Sequence, residues 1–201
     1  DMGVSIGATY IANYRFNKNK TRKIFHEKHN FYGPGFSNGE IKNEITKSKL
    51  KFVELKKNLT NETAKYLANG KLIGWFQGNM EFSHRALGNR SILGDPRNPK
   101  MKDLVNKAIK FRESFRPFAP SVLREDVNEW FELNSDSPYM LLVSEVKKNK
   151  QIKMSKNDEN LFGIEKLNIK RSSIPAITHV DYSARIQTVH KQTNSRYYEL
   201  I

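Results

Sequence analysis

Residues 80–120 are the stretch around which this chain is organised. Gly88 permits a tight turn, Gly94-Asp95-Pro96 ends a short strand, and Asn98-Pro99 starts a helix. Glycine admits left-handed backbone, and proline lacks an amide donor and holds φ near one value. The same stretch gathers the arginines. Of 11 in the chain, six (Arg85, Arg90, Arg97, Arg112, Arg116, Arg124) fall in the 40 residues from 85 to 124, beside four lysines. Elsewhere lysine outnumbers arginine 20 to 5. A planar guanidinium grips phosphate or carboxylate through two parallel hydrogen bonds, which an ammonium cannot do. The local switch from lysine to arginine points to anion recognition at fixed geometry.

Charge alone would suggest a polyanion partner, since the 201 residues carry a formal +14. Most lysines form no stripe or block, however, so a generally basic surface is the simpler account. With no cysteine, disulfides and thiolate metal sites are excluded. No apolar run reaches the length of a membrane span and no signal-peptide pattern opens the chain, so a cytoplasmic protein is expected.

The pattern along the chain is one of short strands interspersed with helices. Residues 13–30 are polar and basic, and Tyr32-Gly33-Pro34-Gly35 reads as a boundary loop. His26-Glu27-Lys28-His29 is one residue short of the H-E-x-x-H zinc motif and reads as a solvated loop. Ser37-Asn38-Gly39-Glu40 has capping-box spacing, with Ile41 and Ile45 on one face of the helix it starts. A second helix is predicted over 61–68, capped by Thr60 and closed by Asn69-Gly70. Strands are predicted at 71–77 and 91–93. A helix follows from Asn98-Pro99 to Lys110, with Met101, Leu104, Val105 and Ala108 inward. Further on come an extended segment at 120–124, a short helix at 125–131 and a strand at 139–146. A polar loop at 147–160 precedes strands at 174–180 and 184–190 around a turn at Asp181-Tyr182-Ser183. The whole indicates an α/β or α+β fold with a mixed sheet.

Arg85 and Arg90 flank Gly88, whose turn could aim both guanidinium groups and nearby amides at one anion. Lys110, Arg112 and Arg116 come from a second segment, where Phe111 and Phe115 could anchor the backbone. Alternatively, the arginines pair internally with Glu81, Asp95 and Glu113. Five cations against three acids leave an excess for an external anion. His179, Asp181, Ser183 and Arg185 form a third polar cluster. No nucleophile–base pair and no Walker loop is present.

These residues resemble a known family. Met80-Glu81-Phe82-x-x-Arg85-Ala86-Leu87-Gly88-Asn89-Arg90-Ser91-Ile92-Leu93-x-Asp95-Pro96-Arg97 is similar to the M-E-F-G-P-R-A-L-G-N-R-S-I-L-A-D-P-R signature of the ATP-dependent O-carbamoyltransferases, the nodulation-factor, cephamycin and aminoglycoside-antibiotic enzymes. Residues 110–120 resemble K-F-R-E-x-F-R-P-F-A-P, and residues 179–189 resemble H-V-D-G-T-A-R-x-Q-T-V. The resemblance implies a twisted mixed sheet of the YrdC-like type over 32–201, truncated before an L-N-T-S-F-N strand. It makes residues 1–31 the end of an actin/Hsp70-like lobe and its linker, with the family's metal-binding histidines in the absent part of that lobe.

The function so implied is synthesis of carbamoyl adenylate from carbamoyl phosphate and ATP, with Mg2+, followed by carbamoyl transfer to a small hydroxyl-bearing acceptor. Lys110 and Arg116 are the candidates for carbamoyl phosphate. Arg85, Arg90, Arg112, Arg185 and His179 are those for nucleotide phosphates and departing pyrophosphate. The rest of the longer protein is the expected partner; nucleic acid and membrane are not. Such a fragment should bind phosphate compounds without completing the transfer alone. Ser83-His84 stands where the family has G-P, and Tyr182-Ser183 where it has G-T, so the turns carrying Arg85 and Arg185 could differ. A basic RNA-binding module and a supporting structural lobe are the other readings.

Overall fold

The computed structural model describes residues 2–16, 28–55 and 57–201. His26 and Glu27 of the short histidine motif, and most of the basic stretch after residue 16, lie outside the described residues. Helix α1 (Met2–Phe16) comes first, then α2 (Asn38–Lys47) and α3 (Leu59–Ala68). Strands β1 (Ile73–Phe76) and β2 (Arg90–Leu93) pair antiparallel, with Trp75 opposite Ser91. Then follow α4 (Met101–Val105), β3 (Ser121–Leu123), α5 (Val127–Trp130) and β4 (Leu142–Glu145). The chain ends through α6 (Lys156–Glu159), α7 (Ile164–Leu167), β5 (Ser183–Val189) and α8 (Ser195–Leu200). The second sheet has the order β3-β5-β4, β3 parallel and β4 antiparallel to β5. It is the mixed sheet expected of an α/β chain.

Strand β5 organises this half of the molecule. Side chains alternate across a strand, so Ala184 and Ile186 enter the main core with Val127, Phe131, Val146, Ile174 and Ile177. Arg185, Gln187 and Val189 share the opposite face, where Val189 joins Trp75, Tyr197 and Leu200 in a second cluster. A third cluster of Met101, Val105 and Ala176 meets the first through Phe118. Among the described residues no helix is long and apolar enough to cross a membrane.

Local signals held where they needed only neighbouring atoms. The Ser37 oxygen accepts from the Glu40 amide at 3.2 Å, the Glu40 carboxylate accepts from the Ser37 amide at 2.8 Å, and Ile41 and Ile45 are half-buried. Gly70, at φ +76, ends α3 as expected, but the helix begins earlier, at Leu59, after Asn58 in a left-handed turn.

Three expectations need correction. The helix after Asn98-Pro99 starts at Met101 and widens into a π-turn at Asn106–Lys110. Its inner side is Met101, Val105 and Asn106, leaving Leu104 and Ala108 exposed. Residues 174–177 bury their apolar side chains in a turn and not a strand, with the Ile177 amide on the Ile174 carbonyl at 3.3 Å. Pro175 has no amide to give a ladder. The polar stretch at 147–160 contains a 3-10 turn (Lys148–Lys150) and the capped helix α6.

A cleft of about 570 Å3 lies between the two sheets, with Ile92 and Leu93 of β2 on one wall and Ser121, Val122 and Leu123 of β3 on another. It contains none of Arg85, Arg90, Lys110, Arg112, Arg116, His179 or Arg185.

Candidate functional site

The loop from Glu81 to Ser91 is built around a buried carboxylate. Glu81, 4% exposed, accepts from the amides of Leu87 (2.7 Å), Asn89 (2.8 Å) and Arg90 (3.2 Å). The Gly88 amide donates to the Ser91 oxygen at 2.9 Å. The amides expected to face an external anion are therefore already satisfied from within. Gly88 sits at φ +103, and a Cβ there would lie 2.3 Å from the Tyr197 ring, so both conformation and space require glycine. Asn89 donates to the Asn79 carbonyl at 2.6 Å and accepts from Gln77 and Asn194. Ser83, in place of glycine, accepts from the Arg85 amide at 3.1 Å and so closes the turn that carries Arg85.

That frame brings Arg85 to Arg185. The Nε of each is buried and has no hydrogen-bond partner, and neither guanidinium forms an ion pair among the described residues. Burial, and then the positive charge of Arg85, pull the pKa of Arg185 below its ordinary value. His179 belongs to the same group: burial lowers its pKa, Asp181 opposes the shift, and the charge of Arg185 adds to it. Asp181 forms no ion pair with Arg185 among the described residues; its Oδ1 accepts from the Ser183 amide (3.0 Å) and hydroxyl (2.7 Å). Two neighbouring guanidinium groups with buried, unsatisfied donors are unfavourable until an anion joins them. A perturbed charge cluster of this kind marks candidate functional sites.

The other predicted cations are placed differently. Arg90 donates to the carbonyls of Gln77 (2.7 Å), Asn89 (2.8 Å), Pro34 (3.1 Å) and Gly78 (3.1 Å), with its guanidinium 3.5 Å from the Phe76 ring centroid. Arg112 donates to Asn106 at 2.6 Å and lies over Phe118. Arg116 pairs with Glu113 at 3.0 Å on the surface, and Lys110 is exposed at the end of the π-turn. No interaction among the described residues links Lys110 or Arg116 to the Arg85–Arg185 pair. The proposed internal pairing holds for Glu113, whereas Asp95 is taken by Arg97, outside that group of cations, at 2.6 Å. It fails for Glu81, which serves amides.

Phe111 and Phe115 do not anchor the 110–118 segment, since both are exposed, Phe111 by 85%. Asn106 does so instead. Fully buried, it donates to the carbonyls of Ser114 (3.2 Å) and Arg116 (2.8 Å) while its oxygen takes Arg112. Asn106 and Gln187 escaped the sequence reading. For Gln187 the available signal was strand alternation, which sets its amide on the same face as the apolar Val189.

Among the described residues no three His, Asp or Glu side chains gather as a metal site. A family model for the carbamoyltransferase C-terminus matches residues 64–201. An uncharacterised Synechocystis protein is 49% identical over 206 residues, covering 100% of this chain and 34% of its own. The nodulation protein NolNO of Sinorhizobium fredii is 36% identical over 206 residues, with 100% of this chain and 27% of that protein covered. The 3'-hydroxymethylcephem-O-carbamoyltransferase of Amycolatopsis lactamdurans is 34% identical over 141 residues, or 70% of this chain and 23% of its own. The chain thus spans about a third or less of the relatives it matches.

Proposed function

We propose, from the premise that this chain belongs to the carbamoyltransferase family and carries its C-terminal domain, that it is the adenylate-forming part of an ATP-dependent O-carbamoyltransferase. The observation that carries the reading is the Arg85–Arg185 pair, cationic, partly buried and without a counter-ion among the described residues, next to His179. Such a pair suits phosphate oxygens, which accept from two forks at once. In this reading carbamoyl phosphate yields carbamate and phosphate by hydrolysis. The carbamate oxygen then displaces pyrophosphate from the α-phosphorus of ATP, and an acceptor hydroxyl takes the carbamoyl group from the adenylate as AMP leaves.

The chain's own contribution is positioning and charge. Arg85 and Arg185 neutralise the polyphosphate and the departing pyrophosphate, and His179, held uncharged at neutral pH by burial, offers a ring N–H as a hydrogen-bond donor. Arg112, oriented by Asn106, adds a guanidinium from the 110–118 segment, and Lys110 and Arg116, exposed on the same segment, take the phosphate of carbamoyl phosphate. Arg90, committed to four carbonyls, stiffens the loop that presents Arg85. Mg2+ would arrive on the triphosphate and keep phosphate oxygens as ligands. In this reading the enzyme is cytoplasmic and its acceptor contacts lie in the rest of a longer protein, as the partial coverage of its relatives supports.

Calorimetric titration of the chain with ATP and with carbamoyl phosphate tests this. Each should bind at one site, and Arg185→Ala should weaken ATP roughly tenfold or more, the loss expected for a charged hydrogen bond. Affinities unchanged in both Arg85→Ala and Arg185→Ala would remove the assignment. Heat that vanishes steeply with salt and appears only with RNA would favour the nucleic-acid reading.

A further inference from the structure

We infer that Tyr197, Ser121 and Gln187 form a hydrogen-bond relay, buried at Tyr197 and Gln187 and half-buried at Ser121, that positions Arg85 against Arg185, so that anion affinity is set in part from helix α8. The inference rests on the reading that this pair binds phosphate groups. The Tyr197 hydroxyl donates to the Ser121 oxygen at 2.8 Å, the Ser121 hydroxyl donates to Gln187 Oε1 at 2.9 Å, and Gln187 Nε2 donates to the Leu87 carbonyl at 2.8 Å.

The direction of the relay follows from its end. A carbonyl can only accept, so Gln187 must turn its NH2 group towards Leu87. Its oxygen then faces Ser121, which must donate, and Ser121 in turn accepts from Tyr197. Burial pushes the Tyr197 phenol up to about 12, so its proton stays in place at neutral pH.

The relay spans the two arginines. Leu87 is two residues after Arg85, and Gln187 is two residues after Arg185 on the same face of β5. The Tyr197 ring also lies against Gly88, leaving no space for a Cβ. From the residue that caps α8, Asn194 donates to Asn89 at 2.9 Å on the same loop. Mutual repulsion of the two guanidinium groups pushes the loop away from β5, and no carboxylate opposes it among the described residues. Neutral, directional contacts therefore hold the separation at which one phosphate can bridge both.

The test uses the 201-residue chain and inorganic phosphate as probe, with the Arg85 side-chain Nε–H resonance, assigned through Arg85→Lys, as a ligand-free readout. Tyr197→Phe and Ser121→Ala should each weaken phosphate binding roughly three- to tenfold, as loss of a buried hydrogen bond allows. Both should shift the Arg85 resonance, and Ser121→Thr should restore both properties. Tyr198→Phe is the control: on the same helix, it loses only an outward hydrogen bond to Glu125, and both readouts should stay at the wild-type value. An unmoved Arg85 resonance in natively folded Tyr197→Phe and Ser121→Ala overturns the relay, as does an equal effect from Tyr198→Phe. Phosphate binding that survives Arg185→Ala overturns the anion reading instead, while the Arg85 resonance still decides the relay.

Discussion

Arg85 and Arg90 lie five positions apart, yet four carbonyls consume the donors of Arg90 while the guanidinium of Arg85 has no partner among the described residues. Spacing could not distinguish them, because each one's fate depends on which backbone passes beside it. Tyr182 illustrates the same point. It stands where the family has glycine and sits at φ +64, a conformation that costs a non-glycine residue about 1 kcal/mol or more. Its hydroxyl bond to the Ile152 carbonyl at 3.1 Å offsets part of that strain. His179 carries a pH signature. Its folded pKa lies below the ordinary 6.5, so between those two values the unfolded chain holds more of the proton. The contribution is present above pH 6.5 and is lost as pH falls through the folded value. His179→Asn should therefore flatten the decline of melting temperature on acidification below pH 6.5, and an identical decline in the variant would contradict this.

At the scale of elements, the π-turn after α4 follows from one side chain. An extra residue per turn carries Asn106 into the interior, where its amide holds the carbonyls of Ser114 and Arg116 and orients Arg112. Amphipathic spacing predicts the helix but not this widening, since the compensating carbonyls come from the loop that follows. Asn106→Leu keeps the branched shape and removes three hydrogen bonds. It should destabilise the chain by roughly 3 kcal/mol and speed tryptic cleavage after Lys110, Arg112 and Arg116. A melting temperature and cleavage rate equal to wild type would refute the anchoring role. The capping boxes at Ser37 and Ser155, by contrast, involve atoms three residues apart and form wherever the helix forms.

Across the whole molecule, the two sheets differ in how well their strands are covered. β5 is paired on both sides and buried on both faces except at Arg185, whereas β2 and β3 each border the cleft and pair on one side only. Amide hydrogen exchange should accordingly be slowest along β5 and much faster in β2 and β3; uniform protection of all three would contradict this layout. The sequence by itself determined the family, the mixed α/β class, the helix capped at Ser37 and the segments that hold the cations, because those depend on local chemistry and on ordered motifs. Only the tertiary structure decided which cations remain unpaired. Arg97 and Arg116 meet carboxylates two and three residues away and Arg90 meets carbonyls as far off as Pro34, whereas β5 packing against the Glu81 loop brings Arg85 and Arg185 together with no such partner among the described residues.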